Sequence, residues 1–326
     1  MIGCNVRHTP RRPRNRRLVP ERGHAAQALE DTLAGSAGSA PWASSGEHLP
    51  AARLAGASFG PRSGAAALAS PVPPRHTFAV KQFGRTTMGE TVRTELERIP
   101  IAKFGTVSVR IQVPAGAHSP ASPVVVLAHG AGNDMQAPLL VAVQHELAAR
   151  GVRCVAFNFL YAELRRKAPD PLPVLQETYR EVLAWVQASF ACEHLPVLGG
   201  KSLGGRVASH LVADGVAAAG LVFLGYPLHP AGRPEQLRTS HWEKIRVPLL
   251  FVQGTRDPLC QLPLLEQELS RWHATTHGVA TLESIEGGDH SFVVPRSAGV
   301  EQGKVYADIA ARVFRWLVSL VHPPGP

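Results

Sequence analysis

From residue 91 onward, short apolar runs alternate with longer amphipathic segments. "TVRTELE" (91–97) and "TVSVRIQV" (106–113) place apolar and polar residues at alternate positions. That is the period of a half-buried strand, and the two predict a starting strand pair. "PVVVLAH" (123–129), "VRCVAFNF" (152–159), "PVLGG" (196–200), "GLVFLGY" (220–226) and "VPLLFVQG" (247–254) are apolar at successive positions instead. Such runs predict strands covered on both faces. "ATLESIEG" (280–287) predicts the last strand. The intervening segments predict helices at about 137–150, stopped by Gly151, and at about 173–190, 262–272 and 304–321. In the last of these, Val305, Ile309, Val313 and Leu317 recur at helical spacing. A further helix opens after Ser202, with Leu203, Val207, Ala208, Leu211 and Val212 on one face. Strands and helices that alternate in this way predict an α/β fold, a mostly parallel central sheet flanked by helices. Sites in such sheets lie at the C-terminal ends of the strands.

The loop after "PVLGG" carries "GGKSLGG", and it admits two chemistries. G-G-K-S is the end of a phosphate-binding loop, with Ser202 as a magnesium ligand. The full pattern requires a glycine at position 195, which is Leu195, inside the apolar run "LPVL". A strand cannot also curl around phosphates. G-K-S-L-G fits G-x-S-x-G, the sharp strand-to-helix turn that exposes a nucleophilic serine, and the strand and helix around it are the context that turn needs. Gly200 and Gly204 leave room where side chains would collide.

A serine hydroxyl is a poor nucleophile until a neutral imidazole takes its proton and a carboxylate orients that imidazole. Asp257, in "GTRDP", follows the strand 247–254, and His290, in "EGGDHSF", follows the last strand. Asp289 is a competing carboxylate, or else braces its own turn. "HGAGND" (129–134) follows the first central strand and suits an oxyanion hole, with backbone N–H donors from Leu203 and Ala131, or Gly130 in place of Ala131. His129 either contacts substrate or braces that loop. Tyr226 and His229, with Arg238 and His241, lie in "YPLHPAGRPEQLRTSHW" and either line a pocket or order the loop. That 21-residue connection is too short for a lid domain. Arg165, with Arg166 and Lys167, is an anion-site candidate, or part of a solvated basic loop.

Charge divides the chain. Residues 1–87 hold 12 Lys/Arg against 4 Asp/Glu, and residues 88–326 hold 22 against 21. The basic excess thus belongs to an Arg/Pro/Ala/Gly-rich tail without sustained periodicity, the composition of a disordered segment. "RRPRNRR" in that tail admits a nucleic-acid arm or part of a transit peptide. A solvated tail, or sequence upstream of a true start at Met88, is the plainer reading. The remainder, a near-neutral domain from residue 88, gives no case for nucleic acid. No apolar run approaches the 18 residues of a membrane span. Four scattered cysteines without C-x-x-C suggest a reducing compartment, the cytoplasm, and no zinc site.

Together, "HGAG", "GGKSLGGR", "YPLHP" with "LRTSHW", "FVQGTRD" and "GDHSF" resemble the α/β-hydrolase branch of testis-expressed protein 30 and the third subunit of the NSL histone-acetyltransferase complex. More distantly the chain resembles dienelactone hydrolases, which have a cysteine where this chain has Ser202. The resemblance covers about 120–320. It implies the α/β-hydrolase fold without a large lid domain, and Ser202, Asp257 and His290 as nucleophile, acid and base. The expected activity is hydrolysis of a small ester-like molecule, a carboxylic ester or thioester, with no cofactor and no metal. The rival expectation is a non-catalytic scaffold on the same fold. The acyl group, protein partners and oligomeric state are not legible.

Overall fold

The computed structural model describes residues 92–115, 124–190 and 193–321, so the basic tail and its boundary at Met88 lie outside the described residues. Strands β1 (Val92–Ile101) and β2 (Gly105–Pro114) form the expected pair, antiparallel, with Val92 opposite Pro114 and Ile101 opposite Gly105. β2 then runs antiparallel to β4 (Arg153–Phe157). All further pairs are parallel, through β3 (Val124–Ala128), β5 (Val197–Lys201), β6 (Gly220–Leu224), β7 (Leu249–Gly254) and β8 (Ala280–Ile285). The eight strands stand in the order β1-β2-β4-β3-β5-β6-β7-β8.

The apolar runs are continuous because both faces are covered. Val124, Val126 and Ala128 of β3 enter the core on one side, and Val125 and Leu127 enter the core on the other. The first core is closed by α3 (Leu172–Ser189), α4 (Leu203–Ala213) and α5 (Leu262–Thr276). The second is closed by α1 (Pro138–Ala149) and α6 (Gln302–Val321), and Val305, Ile309, Val313 and Leu317 are its buried stripe. Tyr179 of α3 ties two strands together. Its buried hydroxyl donates to Val126 O at 2.7 Å and accepts from Gly199 N at 3.0 Å. Burial holds that hydroxyl protonated, well above the ordinary tyrosine range.

β5 is hydrogen-bonded on both sides, Val197 to Gly200 against β3 and Val197 to Lys201 against β6. The segment before Ser202 is therefore extended ladder, with no freedom to wrap phosphates. Two details differ from the pattern-based expectation. A four-residue helix, α2 (Leu160–Glu163), occupies the start of the stretch read as a basic loop. Its Leu160 and Tyr161 are buried, so the apolar residues just before the charges decide the local structure. The connection between β6 and β7 carries one short 3-10 turn, Trp242–Lys244, anchored by buried Trp242. Among the described residues there is no lid domain, and no helix is long and apolar enough to cross a membrane.

Candidate active site

Ser202 ends β5 and starts α4 at φ 50° and ψ −114°. A non-glycine residue in that region is strained by about 1–3 kcal/mol and persists only where its surroundings over-determine it. Here they do. Ser202 N donates to Leu224 O of β6 at 3.2 Å, and Ser202 O accepts from Arg206 N at 3.1 Å. On either side, the turn lies against the end of β3. A Cβ built on Gly200 or on Gly204 would lie 2.2 Å from Ala128 O. The glycines are thus required by the neighbouring strand rather than by the turn alone.

Asp257 and His290 arrive from the ends of β7 and β8. Gly254, last residue of β7, passes so close to the loop after β8 that a Cβ there would lie 2.3 Å from Gly288 O. Thr255 N donates to Ile285 O at 3.0 Å, Arg256 N to Gly288 O at 2.9 Å, and Gly287 N to Thr255 Oγ1 at 2.8 Å. These bonds lock the two loops together. The result is a continuous chain of contacts. His290 Nε2 lies 2.8 Å from Ser202 Oγ, and His290 Nδ1 lies 2.7 Å from Asp257 Oδ2. A neutral imidazole with its proton on Nδ1 satisfies both, donating to the carboxylate and accepting from the hydroxyl. Asp257 has a fully buried side chain, whereas that of His290 is 21% exposed. Solvent thus reaches His290 but not Asp257.

Asp289 serves its own turn. Its Oδ1 accepts from Ser291 N at 2.7 Å and Val293 N at 2.8 Å. The same turn seats Phe292, fully buried at φ 60°. Leu203 opens α4, so its N–H is one of the first-turn donors that have no acceptor within the helix. Ala131 sits in the loop after β3, beside Gly130, where a Cβ would be 3.4 Å from Ser202 Cβ.

Three residues open to either a substrate contact or a loop-ordering role are deeply buried. His129, Tyr226 and His229 are at most 1% exposed, and each orders a loop. His129 donates from Nδ1 to Gly130 O at 2.9 Å and accepts at Nε2 from Phe159 N at 3.1 Å. Burial pushes its pKa down to about 4, so the ring is neutral. Tyr226 donates to Arg238 O at 2.8 Å and accepts from Trp242 Nε1 at 3.1 Å. His229 accepts from Gln261 N at 3.2 Å and contacts Pro230 O at 2.9 Å. Polar residues after a strand can face a pocket or hold a loop, and only burial distinguishes the two. Arg165 is in an exposed turn at φ 54°, and neighbouring Arg166 pairs with Asp170 at 2.6 Å. His241 contacts Ser209 Oγ at 2.7 Å and stacks on His210 with ring centroids 3.7 Å apart.

Sequence reasoning missed Gln253. It is fully buried in β7, donates from Nε2 to Asp257 Oδ2 at 2.5 Å, and accepts at Oε1 from Tyr226 N at 2.9 Å. Asp257 Oδ1 accepts from Leu259 N at 2.8 Å. The carboxylate is therefore held by three donors, the His290 ring among them. The signal was available, because a lone amide inside an apolar strand needs partners. Among the described residues no group of three or more His, Cys, Asp or Glu side chains is placed to hold a metal ion.

The strand order, the two covered faces and the strand–turn–helix at Ser202 are those of an α/β hydrolase. The chain belongs to that family: the family described as "Alpha/beta hydrolase domain" matches residues 121–318. Solved structures agree on the fold. A dienelactone hydrolase from Anabaena variabilis superposes with a TM-score of 0.52 at 16% identity, over 70% of this chain and 98% of its own. An α/β serine hydrolase without lid from Xanthomonas campestris gives 0.52 at 19% identity, over 72% and 97%. A dienelactone hydrolase-like promiscuous phosphotriesterase from metagenomic libraries gives 0.54 at 14%, over 71% and 99%.

Proposed function

We propose that this α/β hydrolase is a serine esterase that cleaves a carboxylic ester or thioester through an acyl-enzyme. Ser202 Oγ attacks the carbonyl carbon while His290 Nε2 takes its proton. The carbonyl π pair moves onto oxygen, and the backbone N–H groups of Leu203 and Ala131 stabilise that charge. The intermediate collapses, the bond to the leaving oxygen or sulfur breaks, and His290 returns the proton to it. Water then repeats the sequence on the acyl-serine and releases the acid. Asp257 keeps the proton of the resting imidazole on Nδ1 and stabilises the imidazolium.

The observation that carries this reading is the contact chain Ser202 Oγ, His290 and Asp257, 2.8 and 2.7 Å per link, on a serine held at φ 50°. A scaffold that only binds partners gains nothing from a strained serine aimed at a base. The proposal assigns the chemistry to residues 88–326 and none of it to the tail. It keeps the kinship with the branch of testis-expressed protein 30 and NSL subunit 3, supported by the five motifs quoted above. It also places the enzyme in the cytoplasm, supported by the free, buried thiols of Cys154 and Cys260. Burial keeps both thiols protonated and inert.

The test is stopped-flow hydrolysis of p-nitrophenyl acetate and butyrate. The wild type is expected to give a burst of nitrophenol of about one equivalent, the mark of an acyl-enzyme. Ser202→Ala, with an unchanged melting temperature, is expected to give neither burst nor turnover. Equal rates for the two proteins would place the chemistry elsewhere.

A further inference from the structure

The segment "NFLYAE" (158–163) follows β4 and takes no part in the chemistry given above, yet it grips the loop after β3 at three points. Asn158 Oδ1 accepts from Met135 N at 2.8 Å, Phe159 N donates to His129 Nε2 at 3.1 Å, and the Tyr161 hydroxyl donates to Gly130 O at 3.3 Å. The segment is itself tied down. Glu163 accepts from Ser108 N at 3.1 Å and from Asn158 Nδ2 at 3.0 Å, and Tyr161 N donates to Asp170 Oδ2 at 2.9 Å. The Tyr161 ring is buried, edge-on to His129 with centroids 5.6 Å apart.

Gly130 O is where the contacts at the start of the loop converge. It takes the Tyr161 hydroxyl, His129 Nδ1 at 2.9 Å and, closing the turn 130–133, Asn133 N at 3.2 Å. A peptide group is planar, and in its trans form the C=O and N–H point in opposite directions. Among the described residues no peptide bond is cis. The three donors therefore set the direction of the N–H across the same plane, which is that of Ala131, the proposed oxyanion donor. This plane starts beside the nucleophile, since a Cβ built on Gly130 would lie 3.4 Å from Ser202 Cβ.

We propose that Tyr161 is a positioning residue, which together with His129 aims the Ala131 N–H at the substrate oxyanion by holding Gly130 O. The inference rests on the serine-esterase reading. Donation to the carbonyl oxygen also polarises the N–H, because hydrogen bonds in a chain strengthen one another. At 3.3 Å the hydroxyl contact is long in the resting state, and it tightens as charge develops on the substrate oxygen and draws on the N–H. Its contribution therefore belongs to the transition state and shows in kcat rather than KM.

The test uses an aryl trifluoromethyl ketone, which reports on the hole directly. Ser202 Oγ adds to its carbonyl carbon, the serine proton passes to His290 Nε2, and the carbonyl π pair becomes an oxyanion, reversibly and with no leaving group. Tyr161→Phe keeps the ring and removes the hydroxyl. It is expected to raise the inhibition constant of the ketone about tenfold and to lower kcat on p-nitrophenyl butyrate by about as much. KM should stay within about twofold, because acylation and deacylation use the same hole. His129→Gln keeps an acceptor for Phe159 N, removes another donor from Gly130 O, and is expected to raise the inhibition constant by a similar factor. Tyr179→Phe is the control for a purely structural role. It also removes a buried hydroxyl, one that bridges β3 and β5, so it should lower the melting temperature while moving the inhibition constant by less than about twofold. If Tyr161→Phe does not fold, His129→Gln decides. An inhibition constant that these variants leave unchanged, or that Tyr179→Phe raises as much, overturns the proposal. A wild type that neither turns over the ester nor binds the ketone would overturn the esterase reading itself, and this inference with it.

Discussion

The elbow at Ser202 and the Asp257–His290 side meet at one hydroxyl but are held by opposite means. The elbow is fixed by backbone. Its serine is strained, and Gly200 and Gly204 are pressed so close to Ala128 O that a single carbon at either would lie 2.2 Å away. Asp257 and His290 are fixed largely by side-chain hydrogen bonds, Gln253 to Asp257 at 2.5 Å and Asp257 to His290 at 2.7 Å, on loops laced by backbone bonds. Steric clearance fails all at once, because overpacked backbone has nowhere to go. A hydrogen-bonded shelf fails in increments, one donor at a time. The nucleophile should therefore be intolerant of added volume nearby, and the acid–base pair should be tunable.

The largest effect expected is on turnover. Asp257→Asn preserves shape but disfavours the Nδ1 proton, and it should lower kcat by about 10⁴. Asp289→Asn, which loosens only its own turn, should lower kcat by less than about tenfold. Steady-state kinetics on one ester decide it, and the reverse ranking would move the acid to Asp289. Next comes the elbow. Gly204→Ala should cost about 3 kcal/mol or more in urea unfolding, because its methyl would meet the Ala128 carbonyl. Gly130→Ala, with its nearest contacts at 3.4 Å, should cost less than about 1 kcal/mol. Similar costs for the two would remove the distinction between the regions.

How far each region was legible follows from the same difference. Glycine spacing announces backbone geometry, so the elbow could be read from "GGKSLGG" and the strand and helix around it. Apolar runs gave the central strands, because every residue of β3, β6 and β7 is buried. Strand ends then put Asp257 and His290 at one edge. Side-chain networks leave weaker traces. Gln253, a lone amide inside an apolar strand, announces that it needs partners but not which ones, Tyr226 N and Asp257. Tyr226 and His229 were open to a pocket role because their loop position alone does not say that they are buried. The helix Leu160–Glu163 was hidden by the charges that follow it.

Acid should loosen the elbow's surroundings first. His129 braces the loop after β3 as a neutral ring, with its pKa lowered to about 4 by burial. In the unfolded chain it takes up a proton near the ordinary value of about 6.5. Its contribution is therefore full above pH 7 and is lost as pH falls through 6.5 towards 4. The loss should be about 2 kcal/mol between pH 7 and pH 5. His210, lowered to about 4, and His241, lowered to about 2, act in the same direction. Urea midpoints at the two pH values test this, with His129→Gln expected to reduce the dependence by about 2 kcal/mol while His210 and His241 keep the rest. A wild-type stability that is flat or rising towards pH 5 would contradict it. A modest effect belongs to the shelf. Gln253→Leu leaves Tyr226 N without its acceptor and removes one donor from Asp257, so stability should fall by about 1–2 kcal/mol and kcat by about tenfold. An unchanged kcat would mean that Leu259 N and His290 alone hold the carboxylate.

The central claim is that Ser202 is the nucleophile, and covalent capture tests it most directly. Intact-protein mass spectrometry after treatment with a fluorophosphonate should show one adduct on the wild type. Peptide mapping should put it on Ser202, with no adduct on Ser202→Ala and much slower labelling of His290→Ala. An adduct on a different residue, or equal labelling of wild type and Ser202→Ala, would contradict the account.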